Sequence, residues 1–247
     1  GRAWAVVFAR AGWTVRLFDA VPAQLSAARR QIEQALTEQQ QAGLAADARA
    51  ALDRIAPCIR VGDALTDAAW VQENLPEEVA IKRTAFAELD RLASPDAILA
   101  SSTSAIVASH FTADLAGRAR CLVVHPVNPP HLVPVVELCG APWTSEATLD
   151  RARITMTSLG QVPIVVRREI DGFVLNRLQG ALLSEAMRLV ADGVVAPDDL
   201  DKTVRDGLGL RWSFMGPLET IELNAPGGLA DYCARYRGFY RRIATDP

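Results

Sequence analysis

The sequence predicts an α/β protein, a doubly wound parallel sheet followed by an all-helical C-terminal domain. Three observations lead there. Up to residue 166 short β-rich apolar runs alternate with helical patterns, as the crossovers of a parallel sheet require. Beyond residue 167 the strand signals stop and amphipathic helical spacing takes over. The opening stretch reads as the second half of a glycine turn, helix, strand and acid unit.

The elements follow in order. After Gly1, RAWAVVFARAG has helical apolar spacing and ends at Gly12. A strand over 14–18 (TVRLF) stops at Asp19. Gly1, helix, strand and acid span roughly the 20 residues that separate the last glycine of a GxGxxG turn from the ribose-binding acid. We therefore expect a Rossmann-type sheet whose first strand and first two glycines lie upstream of Gly1. An N-terminal helix followed by an edge strand fits the same residues. A Gln-rich helix over 22–43 and a second over 45–55 form a hairpin bearing Arg29, Arg30, Arg49 and Arg54. Strands are expected over 58–61 and 70–75, around a turn at Gly62 and Asp63. A helix over 77–92 follows, with Pro76 in its first turn, and then a buried strand over 97–100 that ends in the cluster Ser101 to Ser104. Residues 122–139 form two apolar strands joined by a turn at Asn128 to His131. A helix over 145–159 and a strand over 162–166 complete the first domain, 1–166. The second, 167–247, holds a long helix over 173–191, a short one opened by Pro197 and at least one more over 218–240.

Composition narrows the function. With 247 residues, 50% hydrophobic content, 22% charge and a net charge of -3, the chain is an ordinary globular protein of one or two domains. The absence of a basic stripe argues against nucleic acid. No apolar run approaches the roughly 20 residues needed to span a bilayer, and no signal peptide is visible. Cys58, Cys121, Cys139 and Cys233 are widely spaced and form no CxxC pair, which suits buried thiols in a cytoplasmic protein and disfavours a metal. Of the 26 Lys and Arg residues only Lys82 and Lys202 are lysines.

The chemistry concentrates in LVVHPVNPPHLVPVVELC. Glu137 stands among Val135, Val136 and Leu138, where a lone carboxylate is costly to bury. Folding the two strands together brings it to His125, fixing the imidazole tautomer and stabilising its protonated form. A core histidine beside a strand-edge glutamate is the plainer reading of the same pair. Asp19, Ser104 and His125 all fall at the carboxyl ends of strands, where such sheets bind ligands. Ser104, His125 and Glu137 could also suggest a serine hydrolase, but no GxSxG elbow is present.

Taken together, SSTSAI, HPVNPP, VELCG, GFVLNRLQ and GLGLRWSFMGPLET resemble the 3-hydroxyacyl-CoA dehydrogenase superfamily, and within it the λ-crystallin or L-gulonate 3-dehydrogenase branch. The resemblance covers essentially the whole chain. It implies a catalytic set of Ser104, His125, Glu137 and Asn176, with Asn128 near the substrate, and cofactor contacts from Gly1, Asp19, Glu77 and Lys82. It also implies a homodimer paired through the helical domain, where Leu210, Trp212, Phe214 and Met215 exceed what a small helical cluster can bury. The expected reaction is NAD-dependent oxidation of the 3-hydroxyl of a small hydroxy acid. His125 would act as base, Glu137 would support it, and Ser104 and Asn176 would donate to the substrate oxygen, Asn176 arriving from the helical domain. A 3-hydroxyacyl-CoA substrate and a non-catalytic crystallin-like role are the alternatives. The loop VNPPHLVPVVEL resembles the λ-crystallin branch and favours the small acid.

Asp19 also selects the cofactor, since a carboxylate there accepts from the ribose 2'-hydroxyl of NAD and repels the 2'-phosphate of NADP. We expect the full-length protein to bind NADH well over NADPH in a fluorescence titration; equal affinities would refute the assignment.

Overall fold

The structure is a computed structural model that describes residues 1–244. Helix α1 (Arg2–Arg10) is apolar on every side, and Trp4 to Ala9 are all buried. One side of it, Trp4, Val7 and Phe8, packs on Ile98, Leu122 and Val124 of the main sheet. The other, Ala5, Val6 and Ala9, packs on Ile32, Leu36 and Leu52. Gly12, left-handed at φ +92°, ends it, with Trp13 N–H donating to the Phe8 carbonyl.

Strand β1 (Val15–Phe18) leads into α2 (Pro22–Gln41), opened by a proline in its first turn, and α3 (Ala48–Asp53), capped by the Asp47 carboxylate on Ala50 N–H. The second strand, β2, is Ile55–Cys58 and pairs parallel with β1, Val15 opposite Ile55. It lies earlier than the expected 58–61 because Ile55 joins the core with Ile32 and Leu36. Ile59, by contrast, is 83% exposed. The segment from 61 instead forms a short helix, α4 (Val61–Leu65), at whose start Arg60 pairs with Asp63.

The main sheet has the order β3 (Trp70–Glu73), β4 (Ile98–Ser101), β5 (Cys121–Pro126), β6 (Val135–Gly140), β7 (Val162–Val166). Helix α5 (Val79–Leu92) links β3 to β4, and α6 (Ser109–Thr112) with a 3-10 turn at Arg118–Arg120 links β4 to β5. Helix α7 (Glu146–Ser158), capped by Ser145 on Thr148 N–H, links β6 to β7. All pairs are parallel except β5 and β6, which form an antiparallel hairpin. Every residue of β4 and β5 is buried, as expected of strands covered on both faces. Leu99, Cys121, Val123 and Cys139 meet Phe86, Phe111 and Phe173 on one face. Ile98, Leu122, Val124 and Leu138 meet Trp4, Phe8 and Met156 on the other.

The rest is helical: α8 (Leu175–Ala191), α9 (Pro197–Lys202), a π-helical segment Thr203–Gly209, α10 (Leu210–Trp212), α11 (Pro217–Asn224) and α12 (Gly228–Ala244). Helix α8 starts at Leu175 and not at 173, because Gly172 (φ +75°) and Phe173 (φ +48°) are both left-handed. The chain forms two compact units, Gly1–Leu178 and the remainder from Gln179, so the first turn of α8 belongs with the sheet. No helix among the described residues is long and apolar enough to cross a membrane.

Candidate active site

The β5–β6 register sets His125 directly opposite Glu137. Their side chains meet, with His125 Nδ1 2.7 Å from Glu137 Oε2, and both are buried, His125 at 4% exposure and Glu137 at 0%. The other carboxylate oxygen, Oε1, accepts from Val174 N–H at 2.8 Å and Leu175 N–H at 2.9 Å. These are amides at the start of α8, two of the donors that a helix leaves unpaired there. Burial works to raise Glu137, but the hydrogen bonds from His125, Leu175 and Val174 and the charge of His125 outweigh it and hold the carboxyl below the usual range.

The same turn of α8 reaches a second strand end, since Asn176 Nδ2 donates to the Ser104 carbonyl at 2.7 Å. Ser104 continues to Glu77, whose Oε1 accepts from Ser104 N–H at 2.5 Å and lies 3.1 Å from its Oγ; Glu77 Oε2 accepts from Thr103 Oγ1 at 2.6 Å. Against burial, these bonds and the charge of Lys82 keep Glu77 below the ordinary carboxylate value. The Ser104 hydroxyl donates to Glu77, whereas the nucleophilic serine of a hydrolase bonds the histidine Nε2; the carboxylate on histidine Nδ1 is common to both kinds of site.

Lys82 is 1% exposed, and its ammonium contacts both oxygens of Glu73 at 3.1 and 3.0 Å, as well as the Leu75 carbonyl and Ser101 Oγ. Ser101 Oγ donates to Glu73 at 2.5 Å, and Leu75 N–H donates to the same carboxylate. Lys82 therefore braces the loop after β3 from inside, with its charge neutralised by Glu73. That carboxylate carries no mark in the sequence, since an acid nine residues before a lysine looks like a surface charge until the sheet buries both. Phe173 was also missed. It is fully buried, with its ring centroid 5.6 Å from that of His125.

Asp19 is exposed at the end of β1; its Oδ1 caps Val21 N–H at 2.8 Å, and a carboxylate oxygen remains to accept from a ribose. Gly1 opens α1, which has no acidic residue in its first turn to repel a diphosphate. A Cβ at Gly1 would stand 3.8 Å from the Asn74 amide. Gly1, Trp4, Asn74, Ser102, Asn128 and Pro130 line one pocket. The donor-rich helix start, open glycine and acid suit a dinucleotide. Asn128 is exposed on this rim, and Gln161 Nε2 on the Pro130 carbonyl anchors its loop.

Fold and site together suit a nicotinamide-dependent dehydrogenase, and the family comparisons show that class. The chain belongs to the 3-hydroxyacyl-CoA dehydrogenase family: residues 1–170 match the model of its NAD binding domain and residues 172–245 that of its C-terminal domain. It is 44% identical to λ-crystallin of Oryctolagus cuniculus over 246 residues, covering 98% of this chain and 77% of that one. Identity to an L-carnitine dehydrogenase of a Pseudomonas species is 37%, over 90% of this chain and 69% of the relative. Among solved structures, an NAD+-dependent 5-formyl-3-hydroxy-2-methylpyridine 4-carboxylic acid 5-dehydrogenase superposes with a TM-score of 0.88 at 33% identity, covering 98% of this chain and 77% of that one. The protein is an NAD-dependent oxidoreductase acting on a CH–OH group.

Because Glu137 is depressed in the folded state, the stability it contributes is complete above the unfolded carboxyl pKa of about 4.3 and is lost as pH falls through the lower folded value. In urea denaturation, the stability gap between wild type and Glu137→Gln should shrink steadily as pH falls below about 4. A gap that stays constant down to pH 3 would contradict this assignment.

Proposed function

We propose that the protein oxidises the 3-hydroxyl of a small hydroxy acid, of the L-gulonate kind, to the 3-keto acid. The observation that carries this reading is the buried His125–Glu137 pair, whose hydrogen bond directs Nδ1–H at the carboxylate and leaves Nε2 as a base. His125 Nε2 takes the hydroxyl proton, and Glu137 stabilises the imidazolium that forms. Asn176 spends one N–H on the Ser104 carbonyl and keeps the second for the substrate oxygen. The Ser104 hydroxyl, which donates to Glu77 in the free protein, turns to the same oxygen when substrate binds, and Asn128 on the rim contacts the rest of the substrate. NAD, when bound, supplies the acceptor for the hydride. Gly1 and Asp19 hold its diphosphate and ribose, with Glu77 and Lys82 shaping the wall beside the nicotinamide.

A small acid is favoured over a CoA thioester because CoA phosphates call for cations. Lys82 is internally neutralised, and three of the four arginines on the α2–α3 hairpin are in use. Arg29 donates to the Ile55 carbonyl, Arg54 to that of Ala9, and Arg49 pairs with Asp53. The similarity to L-carnitine dehydrogenases supports a compact hydroxylated substrate as well. All four cysteines are free, which supports a cytoplasmic setting. The helical segment from 167 serves as the dimerisation domain in this reading, and its exposed Leu210, Phe214, Leu218 and Leu223 support a homodimer.

On the full-length protein with NAD, kcat/KM for L-gulonate should exceed that for 3-hydroxybutyryl-CoA; a clear preference for the thioester would overturn the substrate. His125→Ala should lower kcat about a thousandfold while NADH affinity changes only a few-fold, and turnover close to wild type would remove His125 as the base. Light scattering at micromolar concentration should give a dimer, and a monomer would contradict the proposed pairing.

A further inference from the structure

We infer that Phe173 is a positioning residue for the His125–Glu137 pair, acting on both members at once. This rests on the reaction proposed above. Three observations converge on it. Phe173 has φ +48°, a left-handed conformation that an aromatic residue rarely adopts, and it follows Gly172 at φ +75°. That double left-handed turn stops the chain from running straight into α8, and it aims the next two amides, Val174 N–H and Leu175 N–H, at Glu137 Oε1. The Phe173 ring, 0% exposed, then lies against the His125 imidazole, with centroids 5.6 Å apart and planes tilted by 39°.

Each part has a separate effect on the proton transfer. The two amides occupy one carboxylate oxygen, so the other, Oε2, faces His125 Nδ1 in a fixed direction. The ring limits rotation of the imidazole about its Cβ–Cγ bond, and its centroid lies 5.6 Å from that of the ring that becomes charged when Nε2 takes a proton, within the reach of a cation–π interaction. Backbone strain of this kind persists where the surroundings hold it in place. Here the surroundings are the ring's burial in the core with Leu99, Val123 and Cys139. Phe173 touches neither substrate nor cofactor in this account; it acts through the pair.

The experiment compares full-length wild type with Phe173→Asn, which accepts the left-handed turn but lacks the ring, and Phe173→Leu, which refills the space without a π face. We expect kcat to fall at least tenfold in both, with KM for the hydroxy acid and NADH affinity within threefold of wild type. A nitrogen-15 histidine spectrum, recorded without substrate, should show a single Nδ1-protonated tautomer for His125 in wild type and a mixture in the variants. A folded variant that keeps kcat within threefold and leaves the spectrum unchanged would reduce Phe173 to core filling. Should both variants fail to fold, a pentafluorinated phenylalanine at 173 keeps the shape and weakens the π face. A severalfold loss of kcat with unchanged melting supports the inference, and full activity overturns it. If wild type turns over no hydroxy acid, the proposed reaction fails, while the tautomer spectrum still decides the role of Phe173.

Discussion

A carboxylate with no exposed surface stays ionised only where donors replace the water it has lost, and much of this molecule's local order follows from how Glu137 is supplied. One donor comes across the hairpin from His125 and two come from the beginning of α8. The helix therefore cannot start anywhere else: moving it by a residue would leave a buried charge short of partners. Asn176, the next residue along, is carried to Ser104 by the same constraint. Strand β6 and the loop after β4 are thus tied together by the opening turn of one helix.

The burial of α1 has a comparable effect on a larger scale. A helix apolar on all sides cannot lie on a surface, and this one packs on the main sheet with one side and on the α2–α3 hairpin with the other. The β1–β2 pair, which is not hydrogen-bonded to the five-stranded sheet, is held to it through this shared core. Asp19 and Ser104 are placed in one frame by hydrophobic contact and not by a continuous ladder.

Much of this was legible from residue patterns. The alternation of strand and helix signals located six of the seven strands to within a few residues, and the cost of burying Glu137 pointed to His125 before any geometry was known. The second strand was misplaced because 55–59 is one apolar run, and local pattern does not reveal which part of it meets β1. The bracing role of Lys82 was hidden for a related reason: a lysine nine residues after an acid looks like two surface charges until the sheet brings them together. Phe173 read as the first residue of a helix, since a left-handed aromatic is set by tertiary contacts and leaves no mark beyond the glycine before it. The start of α8 within the sheet unit has the same origin, because amide donors carry no sequence signature.

The single reversal of strand direction in the main sheet also bears on how the molecule comes to fold. His125 and Glu137 are 12 positions apart, joined by a hairpin, whereas Ser104 and Asn176 are separated by 72. Closing the short loop costs little chain entropy, and the long one waits on the docking of β6, β7 and α7. The His125–Glu137 pair can thus assemble as a local event, and Ser104 and Asn176 come together only when the remaining topology is complete.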